Sequence, residues 1–179
     1  MILDEVQTGI GRTGKMLALE HEDVVPDILT LGKGLGGGFP IAAFLTTEDV
    51  AKTVSIGDHG GTYIGSPLAC AAANAVLGVV CEEKLPERAA EIGERLRSHL
   101  QSFADGQPDL VSEVRGRGLL IGMVLRDAEK AAALPRRALE RGILVNVTAG
   151  DVMRLFPPLN IPEDELWPAV DTLLELVKS

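Results

Sequence analysis

Short apolar runs broken by glycine fill the first third of the chain, and longer runs with helical spacing fill the middle. Residues 1–4, Met1-Ile-Leu-Asp4, read as the end of a buried strand that stops at an acid. A glycine-rich turn follows, Thr8-Gly-Ile-Gly-Arg-Thr-Gly14, and a helix is expected near 15–22. Ile28 to Leu31 and Ile41 to Leu45 read as two more buried strands. Ser66-Pro67 opens a long helix to about Glu83, because serine caps a helix and proline is tolerated at its first position. That helix is apolar nearly all round, which predicts burial.

The next helix runs from Pro86 to Ala104. Its apolar positions Ala89, Ile92, Leu96, Leu100 and Phe103 recur at helical spacing, and its other faces are charged. Gly106-Gln-Pro108 breaks it, so a domain boundary is placed at 106/107. Beyond it, Val111–Val114, Leu119–Leu125, Ile143–Val147 and Val152–Phe156 read as strands. Leu134–Arg141 and Pro162–Val177 read as helices. Leu166, Val170, Leu173, Leu174 and Val177 form a stripe that belongs in a core rather than on a partner surface. The order of elements predicts an α/β fold: residues 1–106 as one part and 107–179 as a small α/β domain, about half the usual domain size.

Composition narrows the picture. The chain has 179 residues, 46% hydrophobic and 24% charged, so it reads as globular. Only 3% are aromatic, which makes the core aliphatic. A net charge of −9 argues against nucleic acid and anionic membranes as partners. The apolar run Leu68 to Cys81 is shorter than the ~20 residues of a spanning helix. No signal peptide is visible. Cys70 and Cys81 read as free, buried thiols of a reducing cytoplasm, since one helix at that spacing would keep them apart. Met1-Ile-Leu starts in mid-strand, which suggests a fragment or a late gene start.

Two glycine patterns resemble dinucleotide fingerprints: Gly9, Gly11, Gly14 and Gly32, Gly34, Gly37. The second is followed by Phe39-Pro40 and a strand-like run instead of a helix, and the strand before the first is very short, so the context test is not met. Gly9 to Lys15 nearly spells a phosphate loop, but Met16 stands where Ser or Thr must hold magnesium. His21, His59 and His99 have no spacing that suggests a metal site.

Four features carry chemistry. Asp4 ends a strand, where open α/β sheets place ligand groups. Lys33 follows a buried strand and lies between two glycines, a setting suited to a Schiff-base amine. Gly60-Gly61-Thr62 precedes the helix opened by Ser66-Pro67 and offers N–H groups and a hydroxyl to a phosphate. Arg154 ends an apolar strand and is suited to clamping a carboxylate. Each also has a plain structural alternative: a turn acid, a solvated lysine, an ordinary turn threonine, and an arginine paired with Asp151 or a nearby Glu.

The segments Asp4-Glu-Val-Gln-Thr-Gly-Ile-Gly-Arg-Thr-Gly14, Pro26-Asp-Ile-Leu-Thr-Leu-Gly-Lys-Gly-Leu-Gly-Gly-Gly-Phe-Pro40 and Gly60-Gly-Thr-Tyr63 closely resemble the class III pyridoxal-phosphate aminotransferases. Arg115-Gly-Arg-Gly-Leu-Leu-Ile-Gly122 and the stretch from Val145 to Leu159 look most like the acetylornithine branch of that family. The resemblance covers the whole chain but only the C-terminal half or so of a member. It implies the end of a fold type I large domain plus a small C-terminal domain, the cofactor pyridoxal 5'-phosphate, and transfer of an amino group to 2-oxoglutarate. It implies that Asp4 pairs with the pyridine nitrogen and that Gln7 bonds near the ring's phenolic oxygen. It makes Lys33 the Schiff-base lysine and proton carrier, and Arg154 the carboxylate clamp. Thr62 would bind the phosphate of the neighbouring subunit's cofactor in a homodimer.

Ser66 replaces the asparagine usual in the family. The family's own phosphate loop and ring-stacking aromatic lie upstream of residue 1, so an incomplete cofactor site is expected. Enzymes for 4-aminobutyrate, ornithine and succinylornithine share the core motifs. The competing readings are a non-catalytic remnant of such an enzyme and a nucleotide-binding oxidoreductase.

Overall fold

A computed structural model describes all 179 residues. The chain divides into two compact units, Met1–Glu87 and Arg88–Ser179. The division falls inside the long helix instead of at the 106/107 break. The helix's apolar stripe decides this, because Ala89, Ile92, Leu96 and Leu100 are all in the second unit's core.

The first unit holds a three-stranded sheet of β1 (Ile2–Asp4), β2 (Ile28–Leu31) and β3 (Ala43–Thr46). The order is β1-β2-β3, with β1 parallel to β2 and β3 antiparallel to it. A short 3-10 turn, Ala18–His21, stands where a helix over 15–22 is expected. Glycines at 9, 11 and 14 explain the shortfall, since Gly11 and Gly14 both have positive φ and coil the chain. A second 3-10 turn, Lys33–Gly36, follows β2. The unit closes with α1 (Glu48–Ala51) and α2 (Pro67–Glu82).

Helix α2 starts where the sequence places it, with Pro67 in the first turn, but the Ser66 side chain makes no capping hydrogen bond. Its burial differs from expectation. Only Ala69, Ala73 and Val80 are buried, while Leu68 is 66% exposed. One side of α2 packs on the glycine turn, where Gly37 lacks a side chain: a Cβ there would come within 2.7 Å of Val76 Cγ2. Its other apolar sides have no layer over them in this unit. Cys70 and Cys81 are both on α2 as free thiols, exposed instead of buried because they lie on the sides of the helix that no layer covers.

The second unit is an antiparallel sheet with three helices. Its elements are α3 (Leu85–Gly106, whose first turn precedes the division), β4 (Val111–Arg117), β5 (Leu120–Leu125), α4 (Ala128–Leu139), β6 (Asn146–Thr148), β7 (Val152–Leu155) and α5 (Glu163–Lys178). The sheet order is β4-β5-β7-β6, all neighbours antiparallel. Strand β5 alternates strictly: Ile121, Met123 and Leu125 are buried and the residues between them are less so. That alternation points one face to the helices. Met153 and Leu155 of β7 join the same face, and the stripe of α5 from Leu166 to Val177 covers it. Fully burying each such aliphatic side chain stabilises by roughly 1.5–3 kcal/mol.

Helix α4 begins at Ala128, earlier than the expected Leu134, because Asp127 caps it by accepting from the N–H groups of Glu129 and Lys130 at 3.0 Å. Pro135 lies inside it. Strand β6 is confined to residues 146–148, shorter than the apolar run from Ile143 suggests.

Candidate active site

The parallel pairing of β1 with β2 sets Asp4 opposite Thr30. Asp4 Oδ1 accepts the Val6 N–H at 3.0 Å and the Thr30 hydroxyl at 3.0 Å. These hydrogen bonds, with a smaller contribution from the Lys33 charge, hold the Asp4 carboxyl below its ordinary pKa despite slight desolvation. Asp4 is exposed and is therefore an ionised carboxylate at neutral pH.

Two residues beyond β2's last hydrogen-bonded pair stands Lys33, with φ of +45°. A non-glycine residue in the left-handed region is strained and persists only where its surroundings hold it. Gly32, extended and buried against Val6, lets the chain turn there: a Cβ on it would approach Val6 Cγ1 to 3.3 Å. The turn sends the Lys33 amine back over β1, where Nζ donates to Gln7 Oε1 at 3.1 Å. Asp4, Gln7 and Lys33 therefore meet at one end of the parallel pair.

Thr62 is in the loop before α2, exposed, and lines a cleft of about 860 Å³ together with Val6, Thr30, Phe44, His59 and Ser66. That loop is anchored to the sheet side by the edge-on contact of His59 with Phe44, ring centroids 5.8 Å apart. Arg154 is in the second unit, on β7. Its Nε is buried and has no hydrogen-bond partner. Its guanidinium carbon lies 5.8 Å from the Phe156 ring centroid. No ion pair joins it to Asp151. Arg154 also borders a cleft of about 570 Å³ between β6, the Phe156-Pro157-Pro158 segment and α5.

One residue of the first unit escapes the sequence reading. Glu5 is 3% exposed, and its carboxylate accepts the N–H of Ala18 at 2.6 Å and of Leu19 at 2.8 Å. It ties the far end of the glycine turn back to β1, while its own carbonyl accepts the Gly9 N–H. Alternation along β1 is the available signal: Asp4 and Glu5 must point to opposite faces. Arg12 sits on the same turn, and burial pushes its pKa down to about 10, so it remains charged at neutral pH.

Thr30→Val is expected to raise the Asp4 pKa toward its ordinary value of 3.8, leaving the Val6 bond in place. A depressed carboxylate stabilises the fold above its unfolded pKa and loses that effect as pH falls through the folded value. The Asp4 contribution is thus present at neutral pH and fades on the acid side of 3.8. Carboxyl NMR titration of the variant checks this; an unmoved midpoint would dismiss the Thr30 bond.

The parallel strand pair ends in a carboxylate, and a lysine folds over it from a glycine turn. The sequence profile described as aminotransferase class-III matches residues 1–177. The chain is 52% identical over its full length to acetylornithine aminotransferase of Methanopyrus kandleri, covering 45% of that protein. It is 44% identical to ornithine aminotransferase 1 of Staphylococcus saprophyticus, covering 44% of it. Among solved structures, acetylornithine aminotransferase of Elizabethkingia anophelis superposes with a TM-score of 0.91 at 44% identity, over 99% of this chain and 45% of that one. Ornithine aminotransferase of Toxoplasma gondii, described with partial occupancy of pyridoxal phosphate at its active site, superposes with a TM-score of 0.91 at 40% identity. The chain belongs to the class III aminotransferases, a family dependent on pyridoxal 5'-phosphate. It spans about 45% of the length of the relatives it matches.

Proposed function

We propose that the chain carries the catalytic lysine of an aminotransferase moving an amino group from a small donor to 2-oxoglutarate. The observation that carries the reading is the Lys33 amine held on Gln7 beside the ionised Asp4. The donor set fits pyridoxal 5'-phosphate: an amine for its aldehyde, a carboxylate for its ring nitrogen, and an amide acceptor between them. When bound, that cofactor supplies an electron sink for charge developing at the substrate carbon. Asp4, as an anion, holds a proton on the ring nitrogen. Gln7 orients the Lys33 amine and then the phenolic oxygen's surroundings. Lys33 Nζ, as a free amine, would accept the proton from the substrate carbon and return it. Thr62 offers its hydroxyl to a phosphate, in a homodimer that of the partner subunit's cofactor. Arg154 binds the substrate's carboxylate.

The preferred donor is N-acetylornithine, in arginine biosynthesis in the cytoplasm. Acetylornithine enzymes match at 43–52% identity and ornithine enzymes at 44%, and the upper end of the first range supports this reading. Met1–Glu87 represents the remainder of the cofactor-binding large domain and Arg88–Ser179 the small domain, the long helix contributing its apolar stripe to the latter. The short span relative to the relatives favours one second reading, a piece that folds without binding cofactor alone.

Titrating the chain with pyridoxal 5'-phosphate separates these. The expected result is a saturable visible absorption band that Lys33→Ala abolishes while the far-ultraviolet circular dichroism stays native. A band that persists in Lys33→Ala would remove Lys33 from its role. A native chain with no band supports the second reading.

A further inference from the structure

Residues 156–162 join β7 to α5, and three of them are proline: Pro157, Pro158 and Pro162. Proline has no N–H to donate, so a strap of this composition can do little to hold itself by backbone bonds. Within it the Ile161 N–H bonds to the Pro158 carbonyl at 3.2 Å.

Arg88, near the start of α3, supplies donors from outside. Its Nη1 donates to the Leu159 carbonyl at 2.5 Å and its Nη2 to the Ile161 carbonyl. One planar guanidinium thus spans two carbonyls of the strap. A fork fixes position as well as attraction, which the point charge of an ammonium does not. The side chains of Leu159 and Ile161 are half-buried and pack on the core. Where α5 begins, a separate pairing takes over. Glu163 pairs with Arg95 at 2.8 Å and accepts from Trp167 Nε1 at 2.9 Å. The start of α5 therefore has its own anchor, and Arg88 acts on the strap alone.

The same strap walls the site of Arg154. Phe156, Pro157, Pro158 and Ile161 line the cleft that Arg154 borders, and Arg88 does not line it. The Arg154 guanidinium carbon lies 5.8 Å from the Phe156 ring centroid, and its buried Nε has no hydrogen-bond partner. A guanidinium with no bond at Nε takes its direction from what packs around it. A misplacement of about 1 Å in a positioning group can cost up to about a hundredfold.

We infer that Arg88 is a positioning residue for Arg154. It holds the strap so that Phe156 and the prolines fix the Arg154 guanidinium in one orientation toward a small carboxylate. This rests on the reading of Arg154 as the substrate-carboxylate clamp.

The test is a titration of the 15N-labelled chain with glutarate, following the Arg154 Nε–H signal in the native chain, Arg88→Met and Arg88→Lys. Methionine keeps an apolar stem and removes the fork. Arg88→Met is expected to weaken the Kd about tenfold and to speed solvent exchange of the Arg154 Nε–H by a similar factor. The amides of β5 and β7 should keep their protection. Arg88→Lys should lose less, since an ammonium can still reach one carbonyl. Unchanged Kd and Nε–H exchange in a folded Arg88→Met overturn the inference and leave Arg88 a structural tie. Exchange accelerated equally across β5 and β7 also overturns it, because the whole unit would then have loosened. If Arg88→Met does not fold, Arg88→Lys decides, and a native Kd there overturns the inference. No shift of Arg154 in the native chain overturns the clamp reading and this one with it. Glutarate binding that ignores both variants overturns this one alone.

Discussion

Gly93→Ala is expected to destabilise the second unit by about 3 kcal/mol, the upper part of the range for overpacking. In most helices the same change stabilises, because alanine loses less backbone entropy on folding, a gain of roughly 0.5–1 kcal/mol. Gly93 is buried in α3 where the helix crosses the β4–β5 turn. A Cβ there would lie 2.2 Å from the Gly118 carbonyl oxygen and 2.6 Å from its Cα. Those atoms are backbone and cannot rotate away, so helix and turn must separate and expose the residues packed around them. Gly78→Ala in α2 is the matched control. Nothing lies within 4 Å of its Cβ position, and the ordinary gain applies. Urea unfolding with unchanged m-values should move the two midpoints in opposite directions. Movement of both in the same direction would show that the close approach at Gly118 has no energetic weight.

The second large effect is at Glu5. Glu5→Ala removes the acceptor of two backbone N–H groups and leaves both without a partner near β1. Hydrogen bonds to a charged group contribute about 1.5–3 kcal/mol, and a donor stranded by truncation costs more than the bond alone was worth. A loss of about 3 kcal/mol in the first unit follows. Glu5→Gln should cost less, since its carbonyl oxygen still serves one donor while its amide opposes the other. Amide exchange at Ala18 and Leu19 reads the change at its source. Protection of both amides unchanged in Glu5→Ala would mean that the glycine turn closes without the carboxylate.

Much of this was legible in the sequence where local chemistry determines it. The glycines flanking Lys33, the acid ending β1 and the proline at the start of α2 each act within a few residues. Asp4, Gln7 and Lys33 were assigned together through resemblance, and the fold brings them together because β1 and β2 are parallel neighbours. The stripes of α3 and α5 were readable because helical spacing exposes which face is apolar. What was not legible depends on partners distant in sequence. Composition marks α2 as apolar but not which layer covers it, and in this chain most of it remains exposed. Glu5 looks like any acid beside a turn until the 3-10 turn at 18–21 is folded back onto it. The row of Arg115, Gly122 and Arg154 exists only through strand register, set by the pairs Arg115–Gly122 and Gly122–Arg154 across three strands. The early start of α4 depends on one cap, Asp127, which outweighs the interior Pro135.

The unequal depth of the two cores reaches into time. In the second unit a continuous aliphatic layer runs from α3 through the sheet to α5, whereas the first keeps few side chains fully out of water. Amides open at free energies that follow such local packing. Strands β5 and β7 should then exchange only when their whole unit unfolds, over the longest times, while β1 to β3 exchange through small, frequent openings. The lysine thus sits on the more labile half of the chain, and any ligand that bridges β1, the glycine turn and the loop before α2 would register first as slowed exchange there.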